Sequence, residues 1–222
     1  MSEITAQNFW NEFVCIVKKK EEDKEEKNRV TYNYTKKWTA YIMNLLDELL
    51  QNEFKFVDIK NNDKRTNREY FRIDLVGWEK CKNSKWENAA KKTTEDAGLN
   101  FHFWDLDIAI EHENNSKDWS YEVIKLCHIK CGLKVVIGYS LYEKIEGGRE
   151  EQDLKKLELV SENMKKLKYG SPKKEDAFLV ILGNYGKYKS GYKSLNDIDY
   201  KAYSYNSSKK KFETISRAGE WD

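Results

Sequence analysis

Residues 101–139 contain a strand–helix–strand pattern that restricts the fold more than any other part of the chain. The run 103–113 is rich in β-forming residues and alternates apolar with acidic side chains, which is typical of a β-strand. The segment 119–130 has helical periodicity, and LKVVIGY (133–139) is short, apolar and β-branched, as expected of a buried central strand. Two strands joined by a helix of about three turns form a crossover unit, so we predict that they are parallel.

The first of these strands is unusual because it combines apolar residues with carboxylates. Strict alternation predicts that Leu106, Ile108 and Ile110 share one face. The opposite face is then predicted to carry Asp105, Asp107, Ala109, Glu111 and Glu113. Carboxylates at the end of an apolar strand cost free energy unless they are paired or bind a cation. The strand end is therefore predicted to hold a metal ion.

The remaining patterns place helices and strands on both sides of this unit. Amphipathic helices are predicted over 4–18, 35–51 and 149–168, and a buried strand over 177–182. Hairpins are predicted from 54–60 with 69–78, joined by the turn NNDKRTN, and from 200–205 with 212–215. The helix over 119–130 is expected to be capped by Ser116 or Asp118 and to end at Gly132. Together these elements predict an α/β fold with a mixed central sheet flanked by helices.

Length and charge limit the classes of protein that this chain can represent. The 222 residues predict one domain (1–222), with a helical extension (1–34), a core (about 35–140) and a C-terminal helix and strands (149–222). A net charge of +2 excludes a large uniform field, so any basic surface must be local. The absence of a secretory pattern and of an apolar spanning helix, together with four dispersed cysteines, predicts a cytoplasmic protein with reduced thiols and no membrane contact.

Four residues form the predicted catalytic and metal site. Asp74, on the run 69–78, and Glu111 are expected on adjacent strands, with Glu113 on the same face as Glu111. Carboxylate oxygens suit hard cations, so these three acids are predicted ligands of Mg²⁺ or Mn²⁺. Lys125 lies about two turns into the next helix, with Glu122 one turn before it, and is predicted to stabilise negative charge on a phosphate. The alternative is a solvated sheet face whose acids pair with lysines.

This arrangement resembles the PD-(D/E)XK nuclease superfamily. The resemblance covers about residues 35–140, in the order helix, hairpin with Asp74, strand with the E-x-E of Glu111 and Glu113, helix, apolar strand. It implies a restriction-endonuclease-like fold, Mg²⁺ on Asp74 and Glu111, and hydrolysis of phosphodiester bonds, with DNA as the expected nucleic acid. The family motif ends in lysine where this chain has Glu113. Whether Glu113 or Lys125 takes the role of that lysine is left open.

Other interpretations stay beside this one. A catalytically inactive nuclease-fold module that binds DNA or another protein is the main alternative, and a homodimer is compatible with either. Cys127, His128 and Cys131 suggest a soft-metal site, although a zinc site needs about four ligands. His112 is expected to point away from the acids. The glycine-, tyrosine- and lysine-rich segment 183–194 suits either stacking on bases or a surface loop.

Overall fold

The computed structural model describes residues 4–22, 35–56, 64–70, 72–80, 104–140, 148–168, 172, 177–184, 195 and 198–216. These ranges form a mixed α/β structure with a seven-stranded sheet and four helices. The helices are α1 (Ala6–Glu22), α2 (Thr35–Asn52), α3 (Trp119–Leu126) and α4 (Gly148–Lys166). The strands are β1 (Lys64–Tyr70), β2 (Ile73–Lys80), β3 (Trp104–His112), β4 (Leu133–Tyr139), β5 (Ala177–Asn184), β6 (Asp199–Asn206) and β7 (Lys211–Ile215).

The strands lie in the sheet in the same order as in the sequence, from β1 to β7. The three central strands, β3, β4 and β5, are parallel, because α3 and α4 provide the crossovers between them. The outer pairs are antiparallel hairpins. The predicted parallel pairing of the strands around α3 and the predicted closing hairpin are both confirmed.

Helices cover both faces of the sheet and divide the core into two parts. α1 and α2 bury one face, where Trp38, Leu46 and Ile110 are fully buried. α3 and α4 bury the other face around Val123 and Leu157. Every residue of β4 is buried, which explains why its sequence is apolar without alternation. Because successive side chains of a strand alternate between the two faces of the sheet, a side chain at the end of β3 faces either α2 or α3.

The first hairpin differs from the prediction. β1 spans Lys64–Tyr70, so residues expected to form a turn are instead a strand paired with β2. Phe54 and Phe56, expected in the first strand, follow α2 and pack in the core at 2% and 0% exposure. The cause of the error is that β1 is the edge strand of the described sheet. A polar sequence is compatible with that position because the strand needs no continuous apolar face.

An irregularity in β3 alters the predicted faces. Gly77 pairs with Ile108 but Trp78 pairs with Leu106, so Asp107 is an extra residue in the strand. The extra residue reverses the alternation of side chains between the two faces of the sheet. Leu106 therefore packs against the part of the core that α3 and α4 cover. The prediction that it shares a face with Ile108 was therefore wrong, because strict alternation holds only in an uninterrupted strand.

Helix α3 is shorter than predicted. It ends at Leu126 rather than near residue 130, and Asp118 occupies the N-cap position without a side-chain capping bond. The Asp118 carboxylate instead accepts a hydrogen bond from Asn115 Nδ2 at 2.6 Å. Gly132 does not terminate the helix; its N–H donates to Leu106 O at 3.2 Å. A Cβ at this position would lie 2.8 Å from Asp107 O, so the close approach of the loop to β3 requires glycine.

Several predictions concern residues outside the described ranges, among them most of the 183–194 segment and residues 57–60. Of the helices in the described ranges, none combines the length and the apolar character needed to cross a membrane.

Candidate active site

Two of the predicted acids lie side by side on neighbouring strands. Leu75 pairs with Ile110 in the antiparallel β2–β3 ladder, so the next position along brings Asp74 opposite Glu111. The Asp74 carboxylate accepts a hydrogen bond from the backbone N–H of His112 at 2.8 Å. In the alternation of side chains along their strands, both acids occupy positions that face α3. The sheet therefore brings together two carboxylates that are 37 positions apart in the chain.

Lys125 of α3 completes this cluster. Its ammonium nitrogen lies 2.8 Å from Glu111 Oε1 and also forms an ion pair with Glu122, one turn earlier on the same helix. It donates a further hydrogen bond to the carbonyl oxygen of Arg72 at 3.1 Å. The Glu111 side chain is only 3% exposed, whereas that of Lys125 is 28% exposed. Lys125 thus lies between the buried carboxylate and solvent.

The environment of Glu111 changes its protonation. The pKa of this carboxyl is raised from 4.5 to about 8, mainly by burial and to a smaller extent by the neighbouring Asp74 charge. The contact with Lys125 acts in the opposite direction but does not offset burial. Burial would lower the pKa of Lys125, but its contacts with Glu111 and Glu122 outweigh that effect and raise it. The pair is a carboxyl that exchanges its proton near neutral pH beside a lysine held in its charged form.

The turn between β1 and β2 lies against this cluster. Arg72 has a φ of 61°, a left-handed conformation that is uncommon for a residue other than glycine. Its carbonyl oxygen is the one that accepts the hydrogen bond from Lys125. Backbone strain of this kind persists where surrounding contacts over-determine it, often at functional sites. The lysine therefore links α3 to the hairpin that carries Asp74.

Glu113 lies beyond the end of β3. Its backbone N–H donates to Ile137 O at 2.9 Å, and its Oε1 accepts a hydrogen bond from the backbone N–H of Asn115 at 2.6 Å. No three His, Cys, Asp or Glu side chains are grouped to hold a metal ion within the described ranges. Of the three predicted acids, Asp74 and Glu111 therefore lie side by side, whereas Glu113 accepts a hydrogen bond within the following turn.

His112 points to the opposite face of the sheet, as predicted. Its Nε2 lies 3.0 Å from the Tyr139 hydroxyl, which accepts a hydrogen bond from Trp38 Nε1 at 2.6 Å. Burial lowers the pKa of this imidazole from 6.5 to about 3, so it is neutral in the folded protein. The sequence carries no signal for this chain of contacts, because Trp38 and Tyr139 are 101 positions apart.

The soft-metal candidates do not form a site in the described part of the chain. Cys131 lies after α3 rather than on it, and its thiol donates to Leu133 O at 3.4 Å. Glu48 of α2 forms an ion pair with Lys20 of α1 at 3.1 Å. It therefore serves the packing of α1 on α2.

A buried polar network that the sequence analysis missed lies after β4. Ser140 Oγ donates to Asp153 Oδ1 at 2.6 Å, and Tyr203 OH donates to Asp153 Oδ2 at 3.1 Å. Lys156 Nζ donates to Ser140 Oγ at 2.9 Å. Asp153 is fully buried. The sequence contains one signal for this network: the acid Asp153 lies four residues before Leu157, on the apolar stripe of α4. The network fastens α4 to the sheet.

Comparisons with known proteins provide no relative. No family model matches the chain, and no curated protein or solved structure matches it. The geometry of Asp74, Glu111 and Lys125 is therefore the basis for a proposal of function.

Proposed function

We propose that this protein is a metal-dependent nuclease of the restriction-endonuclease-like type, which hydrolyses phosphodiester bonds in DNA. The observation that carries the proposal is the buried Glu111, which lies beside Asp74 on the sheet and 2.8 Å from Lys125 Nζ. An acid of raised pKa next to another carboxylate and a lysine is a combination found at catalytic sites.

The residues present fit a hard divalent cation. Asp74 and Glu111 would hold Mg²⁺ or Mn²⁺, with Glu113, the residue after β3, as the third candidate ligand. Carboxylate oxygen donors favour these ions over zinc. When bound, such an ion polarises a phosphoryl group and makes hydroxide available near neutral pH.

Lys125 takes the part that the nuclease motif gives to its lysine. Its ammonium contacts Glu111 directly, whereas Glu113 is an acid and bonds the backbone of the next turn. Glu122 and the Arg72 carbonyl hold the Lys125 side chain in one orientation. In that position it would donate hydrogen bonds to a phosphate oxygen and stabilise the charge that develops during hydrolysis.

One observation favours a second candidate, a non-catalytic module of the same fold that binds DNA or another protein. The Lys125 ammonium already contacts Glu111, and the described residues contain no group of three potential metal ligands. A cluster satisfied in this way can act as a structural ion pair. Metal binding separates the two candidates, because a non-catalytic module should bind no Mg²⁺ through Asp74 and Glu111.

The test measures DNA cleavage with Mg²⁺ or Mn²⁺, and with EDTA as the metal-free control. Asp74→Ala and Glu111→Ala should abolish cleavage and leave the circular dichroism spectrum unchanged. Glu213→Ala, which removes a carboxylate from β7 at the far edge of the described sheet, should cleave like the unmodified protein. Undiminished cleavage by the Glu111 variant would refute the proposed mechanism.

A further inference from the structure

A groove of about 550 Å³ lies between α3 and α4. Its walls carry Tyr121 and Leu159, the two exposed large hydrophobic side chains of the described part of the chain, each 67% exposed. Trp119 also lines the groove and is buried at 2% exposure. When exposed apolar side chains occur together at one concave surface, they indicate a binding site rather than random exposure.

The charge of the groove is positive. Lys117 and Lys156 line it, and no acidic residue of the described ranges does. Neither lysine forms an ion pair with a carboxylate among the described residues, and Lys156 donates to the neutral hydroxyl of Ser140. The adjacent Lys155 is different, because it pairs with Glu151 at 2.7 Å and lines another groove, in which acids and lysines are mixed. The α3–α4 groove therefore has charge that complements an anionic ligand.

We propose that this groove binds a single strand of nucleic acid. Lys117 and Lys156 would contact phosphates, and the exposed ring of Tyr121 would stack on a base. An apolar protein segment would offer no acceptor to the Lys117 ammonium and no second acceptor to that of Lys156, whereas a nucleic acid strand supplies phosphates and aromatic faces together.

The position of the groove relates it to the cluster around Glu111. Tyr121 and Lys125 are one turn apart on α3, so the helix that borders the groove also carries the lysine of the candidate site. The inference rests on the proposed function and deepens it, because it assigns the surface that holds the substrate.

The test measures binding of a fluorescein-labelled oligo(dT) of about 20 nucleotides by anisotropy in EDTA, so that no cleavage occurs. The double variant Lys117→Gln/Lys156→Gln should bind about tenfold more weakly at low salt. A plot of the logarithm of its binding constant against the logarithm of the salt concentration should be shallower in slope by about 1.4. Tyr121→Ala should weaken binding about fivefold or more, and Tyr121→Phe should restore it. The matched control, Lys155→Gln/Lys165→Gln, removes the same charge from paired lysines and should bind like the unmodified protein.

Two results would overturn the inference: no binding of the oligonucleotide by the unmodified protein at low salt, or equal affinities of the groove variant and its control. Lys117→Gln alone provides a second test, because Lys156 also contacts Ser140 and its loss can disturb α4. Failure of the nuclease proposal is distinguishable. Glu111→Gln should bind the oligonucleotide normally and fail to cleave DNA. Groove-dependent binding by a protein that cleaves nothing would support the groove and refute the nuclease.

Discussion

Lys125 Nζ lies 2.8 Å from Glu111 Oε1, and this ion pair joins α3 to the end of β3. The carboxylate is buried and the ammonium is partly exposed. A buried acid keeps its negative charge only at a cost in free energy, and the lysine reduces that cost without removing it. The pair therefore controls both the protonation of Glu111 and the stability of the contact between helix and sheet.

Substitution of Lys125 tests its role on the phosphate. Lys125→Met should lower the rate of Mg²⁺-dependent cleavage by about 100-fold, because one positioned charge-stabilising group contributes about that much to phosphate or acyl chemistry. Mg²⁺ binding, measured by isothermal titration calorimetry, should persist. Lys130→Met is the matched control, because Lys130 is exposed beyond the end of α3, and it should cleave normally. Equal rates for the two variants would contradict the assignment.

Metal binding should release a proton from Glu111. The pKa of this carboxyl is raised to about 8, mainly by burial, so at pH 7 most molecules carry the proton that a metal ligand must lose. Calorimetry in buffers of different ionisation enthalpy should detect release of up to about one proton per Mg²⁺ at pH 7, falling towards zero above pH 9. Glu213→Gln should release as many protons as the unmodified protein. Binding without proton release at pH 7 would show that Glu111 is not a ligand.

The buried imidazole of His112 should make the protein sensitive to acid. Its pKa is about 3 in the folded protein and about 6.5 in the unfolded chain, so between these values only the unfolded chain takes up the proton. Its contribution to stability is complete above pH 6.5 and is lost as the pH falls, at about 1.4 kcal/mol per pH unit. The raised pKa of Glu111 contributes a slope of opposite sign between pH 6.5 and 4.5, so the test compares two proteins. In urea unfolding, the free energy of unfolding of the unmodified protein should exceed that of His112→Phe by an amount that shrinks by about 1.4 kcal/mol per pH unit as the pH falls from 6.5 to 4.

His128→Phe is the control for that experiment, because His128 also carries an imidazole but is exposed after α3. It should leave the pH dependence of the free energy of unfolding unchanged. An equal slope for the unmodified protein and the His112 variant would mean that His112 does not cause the acid sensitivity.

The network around Asp153 should contribute measurably to stability. Asp153→Ala leaves the hydroxyls of Ser140 and Tyr203 without their acceptor in a buried region, which should cost about 2–4 kcal/mol in free energy of unfolding. Ser140→Ala should cost less, and the double variant should be less destabilised than the sum of both, because the two residues share one hydrogen bond. Glu158→Ala, on the exposed side of α4, should change stability by less than about 0.5 kcal/mol. Strict additivity would argue against coupling between Ser140 and Asp153.

Local patterns were sufficient to predict the elements that alternate or repeat regularly. The spacing of Trp38, Ile42 and Leu46 predicted α2, and the apolar run 133–139 predicted β4 and its parallel pairing with β3. The pattern failed for β1, because the sequence of a polar edge strand resembles that of a turn. It also failed for Leu106, because the bulge at Asp107 moves the Leu106 side chain to the other face of the sheet. Bulges and edge positions depend on pairing partners, which a single segment does not encode.

The sequence by itself determined that Glu111 ends an apolar strand, that Lys125 follows on a helix one turn after Glu122, and that Asp74 lies on an earlier β-run. These are properties of short segments, and period-2 and period-3.6 patterns reveal them. Only the tertiary structure decided that the Lys125 ammonium contacts Glu111, that Glu113 bonds the Asn115 backbone, and that Lys117 and Lys156 line one groove. The physical reason is that burial and proximity arise from the packing of α3 and α4 on the sheet, and these two properties set the charge of each group.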